Sequence, residues 1–291
     1  MSANLLRVAA AASREASLYL TVEQGDKLIG GLREEHFRLT EEDRARTFRL
    51  EKPETPASVA LLVEHSRSSW LYYNDIVRAV QGFLDAAPEG NWYALATFSH
   101  EVEVAADFTR QKGKIGEAYA GLAPPTWNEV DTFDAVSWML DTMSRMNGRR
   151  VLIVIGSGLD SFSARTLEDV QKKLESTNVV VFCVGVGSML RGSYEPYLGS
   201  SARLDLLRAE SFFKMLADKS GGQAWFPLFE SAFSDVLRGI MQMLEFQYKL
   251  VYDSQFPADG KFHKLKVEAF KVEHDQRTDY RVRVREGWRF Y

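Results

Sequence analysis

The residues best placed for binding chemistry lie in a hydroxyl-rich stretch that follows an apolar run. Segment 58–68 reads SVALLVEHSRS, so Glu64, Ser66 and Ser68 stand directly after a candidate strand, and a helical pattern begins at residue 69. In an open α/β sheet, ligands bind where the carboxyl end of a strand leads into the next helix. The acid and the two hydroxyls are therefore the first candidate groups for a ligand site.

The chain carries few other groupings of reactive residues. It has no G-x-S-x-G, H-E-x-x-H, paired C-x-x-C or P-loop motif, the signatures of common catalytic and nucleotide sites. The glycines of segment 185–192 follow an apolar run, but a dinucleotide fingerprint belongs after the first strand. The histidines lack metal-ligand spacing; they are His36, His65, His100, His263 and His274. We predict a protein with no enzymatic activity and no cofactor.

Four short apolar runs in the centre of the chain have the pattern of buried parallel strands. They are segments 58–63, 92–99, 150–156 and 179–187. Amphipathic helical patterns separate the runs, so the centre is predicted to be an α/β domain with a doubly wound, mostly parallel sheet. The single cysteine, Cys183, lies in the fourth run, where we expect a small buried hydrophobic residue rather than a reactive thiol.

The two ends of the chain alternate polar and apolar residues, which is typical of antiparallel strands. The alternating segments are 17–32, 36–52, 247–255, 261–270 and 279–288. Neither end has enough strands for a stable sheet of its own, so we expect the ends to pair into one β-sandwich-like module. The predicted division is a tail or short helix at 1–16, a discontinuous β module at 17–56 plus 245–291, and the inserted α/β domain at 57–244.

Several short motifs follow one another over nearly the whole chain. They are Ala96-Thr97-Phe98-Ser99, Phe133-Asp134-Ala135, Leu159-Asp160-Ser161, Tyr248-Lys249-Leu250 and Glu286-Gly287-Trp288. Each motif is weak alone, but in this order they resemble a bacterial family related to the von Willebrand factor type A (VWA) domain. In that family one β segment precedes the VWA block and another follows it. The resemblance implies the same arrangement here.

The resemblance also implies a metal-ion-dependent adhesion site at the carboxyl edge of the sheet. In such sites two serine hydroxyls and a threonine hydroxyl bind Mg²⁺, and two aspartates balance its charge. The family's first loop reads D-x-S-G-S, whereas this chain has Glu64-His65-Ser66-Arg67-Ser68. The usual glycine is replaced by Arg67, whose guanidinium repels a divalent cation and could pair with Glu64 instead.

Two further positions depart from the family's pattern. The third loop has Ser157-Gly158 in place of an Asp-Gly pair, and the threonine position falls on Val130. Neighbouring oxygen-bearing residues are out of register; they are Thr126, Glu129, Asp131 and Thr132. Mg²⁺ depends on carboxylates and waters, so we predict that the altered site holds no metal, with retained Mg²⁺ as the alternative. The altered site comprises Glu64, Ser66, Ser68, Thr132 and Ser157.

Two surface segments have the composition of recognition sites. Segment 187–203 is long for a strand-to-helix connection and contains tyrosine and arginine, which are typical of interfaces. Segment 124–132 lies beside the altered site, where its tryptophan is either an exposed anchor or tucked under the loop. His65 is expected to face solvent. The predicted partner-binding residues are His65, Arg67, Thr126, Trp127, Asn128, Tyr194 and Tyr197.

Composition limits the partners and the location. The formal net charge is -4, which disfavours nucleic acid and anionic membranes, and no apolar run is long enough to predict a membrane span. The first residues make a poor signal peptide because Arg7 interrupts their apolar character. We expect a cytoplasmic protein if Met1 is the native start. The family resemblance otherwise implies export to the periplasm or the extracellular space.

These observations predict a non-enzymatic protein-interaction module of VWA type. Its binding surface is expected at the loops of the carboxyl edge, centred on segments 64–70, 124–132 and 187–203, without a bridging metal. One alternative is an Mg²⁺-dependent adhesion domain. A second alternative is a structural subunit of a larger assembly, recruited through its β edges.

Overall fold

The computed structural model of the chain describes residues 14–67, 69–186, 199–228 and 232–291. Its strands are β1 (Arg14–Gln24), β2 (Lys27–Leu28), β3 (Phe37–Glu41), β4 (Arg44–Arg46), β5 (Phe48–Glu51), β6 (Ser58–Glu64), β7 (Trp92–Phe98), β8 (Val102–Thr109), β9 (Arg150–Gly156), β10 (Val179–Gly185), β11 (Ala224–Trp225), β12 (Tyr248–Ser254), β13 (Phe262–Glu273), β14 (Gln276–Val284) and β15 (Gly287–Arg289). Its helices are α1 (Tyr73–Ala86), α2 (Lys112–Ala120), α3 (Thr132–Ser144), α4 (Leu167–Ser176), α5 (Ser200–Ser220) and α6 (Ala232–Glu245). Across these residues, no helix is both long enough and apolar enough to cross a membrane.

The central strands form a six-stranded sheet in the order β11-β10-β9-β6-β7-β8. Strands β6, β7, β9 and β10 run parallel, and β8 adds an antiparallel edge next to β7. The four parallel strands coincide with the four apolar runs, so the predicted mostly parallel α/β sheet is confirmed. Because parallel strands end at the same edge, the loops that follow β6, β7 and β9 lie side by side.

Helices cover both faces of this sheet, and successive strand residues alternate between the two cores. Helices α1, α2 and α6 pack on the face that carries Leu61 and Ile153. Helices α3, α4 and α5 pack on the face that carries Leu62, Val154 and Cys183. Cys183 is fully buried, and burial raises the pKa of its thiol well above the ordinary value. The predicted role of this cysteine as a buried hydrophobic residue is confirmed.

The two ends of the chain form a second sheet in the order β4-β3-β13-β14-β1-β12-β5, with β15 paired to β13 and β2 to β1. Although other strands separate β3 from β12, the hydroxyls of Tyr252 and Ser254 on β12 donate to the buried Glu41 of β3 over 3.0 and 2.7 Å. The sheet therefore curls over its own core, to which Leu18 of β1 and Leu265 of β13 contribute. The β-sandwich-like module predicted from both ends is confirmed.

Some boundaries differ from the sequence-based expectation. Strand β1 begins at Arg14, inside the segment expected as a tail or short helix. Helix α5 begins at Ser200, so the prediction of a loop up to residue 203 is wrong for residues 200–203. Their Ser-Ser-Ala-Arg sequence has no apolar period that would predict a helix. Residues 187–198 of that predicted loop lie outside the described residues, and Gly199 directly precedes α5.

Candidate functional site

The altered site lies at the carboxyl edge of the six-stranded sheet. Glu64 is the last residue of β6, and a 3-10 turn at Ser69–Tyr72 leads from its loop into α1. Ser157 directly follows β9, the neighbour of β6 in the sheet. Both residues are almost completely buried, at 2% and 4% exposure. The fold therefore brings the acid of the first loop and the hydroxyl of the third loop together.

The Glu64 carboxylate is fully engaged in hydrogen bonds across this edge. Its Oε1 accepts a bond of 2.6 Å from the Ser66 hydroxyl, and its Oε2 accepts bonds of 2.6 and 2.7 Å from the amide and hydroxyl of Ser157. Bonds from donors to a charged acceptor are short and strong, and a buried carboxylate needs them. Glu64 therefore ties the first loop to the third.

A glycine on the neighbouring strand makes room for this crossing. A Cβ atom at Gly156 would lie 2.9 Å from both Cβ and Oε2 of Glu64. Any side chain there would displace the carboxylate from Ser157. The last residue of β9 is therefore part of the arrangement, although its sequence context gave no indication of that role.

The first loop is closed by its own serines. The Ser66 hydroxyl, besides donating to Glu64, accepts a bond of 3.2 Å from the amide of Ser69, and the Ser69 hydroxyl accepts one of 3.0 Å from the amide of Ser66. The Ser69 hydroxyl also lies 3.0 Å from the Ser66 carbonyl oxygen. Hydroxyl-to-backbone bonds of this kind are typical of caps and turns. Ser68, the other predicted hydroxyl, lies outside the described residues.

The threonine near the family's expected position is turned towards the third loop. Thr132 is fully buried at the start of α3, and its hydroxyl donates to the carbonyl oxygen of Leu159. Val130, which stands at the expected threonine position, has its side chain in the apolar core beneath α3. The middle loop therefore presents no threonine hydroxyl to Glu64 and Ser66.

Arg67 differs from its sequence-based expectation, and His65 is partly covered. Arg67 is exposed, and its amide donates to the Trp127 carbonyl oxygen over 2.9 Å. Because the Glu64 carboxylate is bonded to Ser66 and Ser157, the suggested Arg67–Glu64 pair is not formed. His65 is half-buried, with its Nε2 atom 2.8 Å from the Ala123 carbonyl oxygen and its ring 5.8 Å from that of Trp70. His65 is therefore partly exposed, because the adjoining aromatic rings cover only part of its side chain.

Aromatic side chains stand out from the neighbouring loops. Trp127 is 53% exposed, and its ring centroid lies 5.6 Å from that of His100. His100 contacts the buried Asp131 through an Nδ1–Oδ2 distance of 2.9 Å, and the other oxygen of Asp131 accepts a bond of 3.0 Å from the amide of Phe162. Phe162 is itself 74% exposed. This chain of contacts places Trp127 and Phe162 on one continuous edge.

Phe162 and His100 were not among the residues predicted to bind a partner. Phe162 lies in the segment Leu159-Asp160-Ser161-Phe162-Ser163, where a large apolar residue in a polar loop was the only available signal. The predicted residues Thr126 and Asn128 are exposed beside Trp127. Tyr194 and Tyr197 lie outside the described residues, so their predicted role stays a prediction.

The donor set at this edge is a poor fit to Mg²⁺, which requires six oxygen ligands in a nearly octahedral arrangement. The oxygens of Glu64 are held by Ser66 and Ser157, and the Thr132 hydroxyl is held by Leu159. Over the part of the chain that the structure describes, no group of three or more His, Cys, Asp or Glu residues is placed to hold a metal ion. What the edge offers instead is a closed hydrogen-bonded base under exposed aromatic side chains.

Comparison with protein families assigns this architecture. The family model of the von Willebrand factor type A domain matches residues 58–203, which span β6 to the beginning of α5. The chain belongs to this family. VWA domains are generally protein-interaction modules. A comparison with curated proteins finds no match.

Several solved structures are similar to this chain at low sequence identity. An aerotolerance-related membrane protein from Bacteroides fragilis, carrying multiple mutations to serine, is 14% identical with a TM-score of 0.51, over 65% of this chain and 98% of that chain. Proximal thread matrix protein 1 from the mussel byssus, with a zinc-occupied MIDAS motif, is 13% identical with a TM-score of 0.50, over 67% of this chain and 49% of that chain. A von Willebrand factor type A protein from Catenulispora acidiphila is 10% identical with a TM-score of 0.49, over 96% of this chain and 75% of that chain.

Proposed function

We propose that this VWA domain binds a protein partner through the loops at the carboxyl edge of its sheet, without a bridging metal ion and without catalysing a reaction. The observation that carries the proposal is the closed set of bonds from Ser66 and Ser157 to the Glu64 carboxylate. The donor groups in these bonds stabilise the negative charge of that carboxylate, which a bound cation would otherwise do.

Charge at the edge also supports a metal-free mode. A divalent cation between Ser66 and Ser157 would have Glu64 as its nearest carboxylate, and binding it would break the two bonds from Ser157. Arg67 adds a positive charge to the same loop; because it is exposed, solvent screens its repulsion of a cation, and its contribution is the smaller one. The free energy lost by breaking the hydrogen bonds of Glu64 therefore offsets the free energy gained when a divalent cation is coordinated.

The exposed aromatic side chains supply the binding energy in this proposal. Trp127 and Phe162, at 53% and 74% exposure, are side chains of the kind that dominate interface hot spots. Trp127 is held in place because its carbonyl oxygen accepts from Arg67 and its ring contacts His100. A rigid aromatic side chain loses little conformational entropy on binding.

Affinity capture from the native source tests the proposal, with the full chain as bait. We expect the wild-type chain to capture one partner equally well in Mg²⁺ and in EDTA. Trp127→Ala should weaken capture about 30-fold, the loss expected for a hot spot of about 2 kcal/mol. Val272→Ala is the control, because Val272 is also exposed, at 58%, but lies in the terminal β module.

The two alternatives give different results in the same experiment. Capture that disappears in EDTA would establish the Mg²⁺-dependent adhesion mode and refute the metal-free one. Capture that survives Trp127→Ala together with Phe162→Ala would place the interface elsewhere, as expected for a structural subunit recruited through its β edges.

A further inference from the structure

A cleft with a volume of about 670 Å³ lies at the amino edge of the six-stranded sheet, opposite the carboxyl edge. Its floor includes Ala57, Asn91 and Arg149, each of which directly precedes a parallel strand. Because those strands are seven residues long, the cleft lies roughly 20 Å from the aromatic edge. It is therefore separate from the surface that binds the proposed protein partner.

Both connections between the two sheets line this cleft. The segment from β5 to β6 contributes Lys52, Pro53, Thr55, Pro56 and Ala57, and the segment from α6 to β12 contributes Glu245 and Gln247. Clefts where two parts of a fold meet are common places for small ligands. The apolar part of the wall is formed by Pro53, Pro56, Val59, Pro88, Met241 and Leu244.

A buried guanidinium in the wall has no counter-ion of its own within the described ranges. Arg149 is only 7% exposed, donates from Nη2 to the Leu244 carbonyl oxygen over 2.5 Å, and has no hydrogen-bond partner for Nε among the described residues. Burial lowers the pKa of Arg149 to about 10. The nearest carboxylate whose charge acts on it, Glu54, is already bonded to Tyr19 and Lys249 at 2.5 and 2.6 Å.

A buried amide beside this cleft is also unpartnered. Gln247 is 6% exposed, and within the described ranges neither its Oε1 nor its Nε2 atom has a hydrogen-bond partner. Buried polar groups are nearly always hydrogen-bonded, because leaving them unpaired destabilises the fold. Two such residues in the wall of one cleft point to a polar group that the cleft receives from outside.

We propose that this cleft is a binding site for a ligand with an apolar body and a carboxylate group. The carboxylate accepts hydrogen bonds from Nε of Arg149 and Nε2 of Gln247 once both side chains have rotated to turn these atoms, which have almost no solvent-accessible surface, towards the cleft. The apolar body covers the proline, methionine and leucine wall. A free carboxylic acid and the carboxyl terminus of a protein chain share this chemistry. The proposal goes beyond the partner-binding function and does not depend on it.

The charges at the rim favour an anion. Lys52 and Arg110 lie at the mouth together with Glu89 and Glu245, but Glu89 is neutralised by Lys112 at 3.0 Å. The cleft therefore carries three cationic groups, Lys52, Arg110 and Arg149. Among the described residues, Glu245 is the one lining carboxylate without an ion pair. A carboxylate approaching the cleft is therefore attracted, and inside it replaces the missing counter-ion of Arg149.

Calorimetric titration of the full chain with octanoate tests the proposal, with octanamide as the uncharged probe. We expect octanoate to bind and octanamide to bind at least about tenfold more weakly, since a hydrogen bond to a charged group is lost. Arg149→Met and Gln247→Met should each weaken octanoate binding, Arg149→Met by about tenfold or more. Arg145→Met is the control, because Arg145 is exposed and does not line the cleft.

Further arms keep the test decisive. If Arg149→Met does not fold, Gln247→Met serves alone, because replacing an unpartnered amide by an apolar side chain of similar volume should not lower stability. A short leucine peptide with a free carboxyl terminus, compared with its amide, identifies the source: tighter binding of the acid peptide than of octanoate supports the site and assigns it to a chain terminus. Failure of both acids to bind at millimolar concentration, or binding unchanged by both variants, would overturn the proposal.

Discussion

Glu64 is one methylene longer than the aspartate of the family's D-x-S-G-S loop, and that length lets it reach Ser157 on the neighbouring strand over 2.6 and 2.7 Å. Ser157 in turn stands where the family has an aspartate. The two substitutions compensate each other: one carboxylate is lengthened, the other is replaced by a hydroxyl, and together they form a hydrogen-bonded pair. At the residue scale, this pair is the feature on which the proposed metal-free binding rests.

Replacing Glu64 by alanine should destabilise the chain by about 2–4 kcal/mol, because Ser66 and Ser157 would keep buried donors without their acceptor. Urea denaturation measures the change. The matched control is Glu101→Ala, at an exposed position of the same edge, which should change stability by no more than about 0.5 kcal/mol. Equal effects of the two variants would mean that the Glu64 bonds contribute no net stability.

The sequence predicted part of this site and missed the rest for a physical reason. The acid, the hydroxyls and the missing carboxylate can be read from local motifs around Glu64 and Ser157. The bond between them cannot, since it joins residues from different strands and depends on Gly156 having no side chain. For the same reason Arg67 was expected to take the place that Ser157 occupies.

At the element scale, the long apolar runs determined what could be predicted. Strands β6, β7, β9 and β10 are buried along nearly their whole length, so their sequences are continuously apolar and easily recognised. Strand β8 is an edge strand with no fully buried residue, and its sequence VEVAADFT carries little hydrophobic pattern. Helix α5 similarly begins with polar residues, which hides its start.

One element contact should make stability depend on pH. Lys249 of β12 binds Glu51 of β5 at 3.0 Å and Glu54 of the following segment at 2.6 Å. The hydrogen bond from Lys249 lowers the pKa of Glu51. For Glu54, burial acts to raise the pKa, but the bonds from Lys249 and Tyr19 outweigh burial and bring the pKa below the usual 4.5. The native state therefore binds fewer protons than the unfolded state around that pH, and acid weakens it.

The variant Lys249→Met should be less stable than the wild type at neutral pH. The difference should shrink as the pH falls below about 4.5, because protonated Glu51 and Glu54 no longer stabilise the ammonium group. Urea denaturation between about pH 7 and pH 3 gives the comparison. Lys264→Met is the exposed control and should show no such trend. A difference that is constant over the whole range would contradict the assignment.

At the scale of the whole molecule, a buried ionic cluster joins the terminal β module to the α/β domain. Arg285 is 3% exposed and donates to the carbonyl oxygens of Thr177 and Glu175 at the end of α4. Arg289 of β15 forms two bonds of 2.9 and 2.7 Å with the Glu175 carboxylate. Cations at a helix C-terminus are favourable. The two parts of the fold are therefore held together by directed contacts.

Glu175→Ala should cost about 3 kcal/mol or more, since it leaves Arg289 without its buried partner. Glu286→Ala is the control. Glu286 forms an ion pair with Lys219 at 3.3 Å, as the buried Glu175 does at 3.5 Å, but the side chain of Glu286 is 51% exposed, and such pairs contribute under about 1 kcal/mol. Thermal or urea unfolding of both variants makes the comparison. Equal losses of unfolding free energy in the two variants would show that burial does not strengthen the Glu175 ion pair.

Calorimetric melting of the intact chain in Mg²⁺, Mn²⁺ and EDTA tests the central claim most directly, because an ion held only by the folded state must raise its stability. We predict melting temperatures that agree within about 1 °C in all three conditions, since the Glu64 carboxylate is already occupied by Ser66 and Ser157. An ion present at about 100 times its Kd would add about 2.7 kcal/mol, on the order of 5 °C or more. A rise of that size in Mg²⁺ that EDTA removes would contradict the metal-free account.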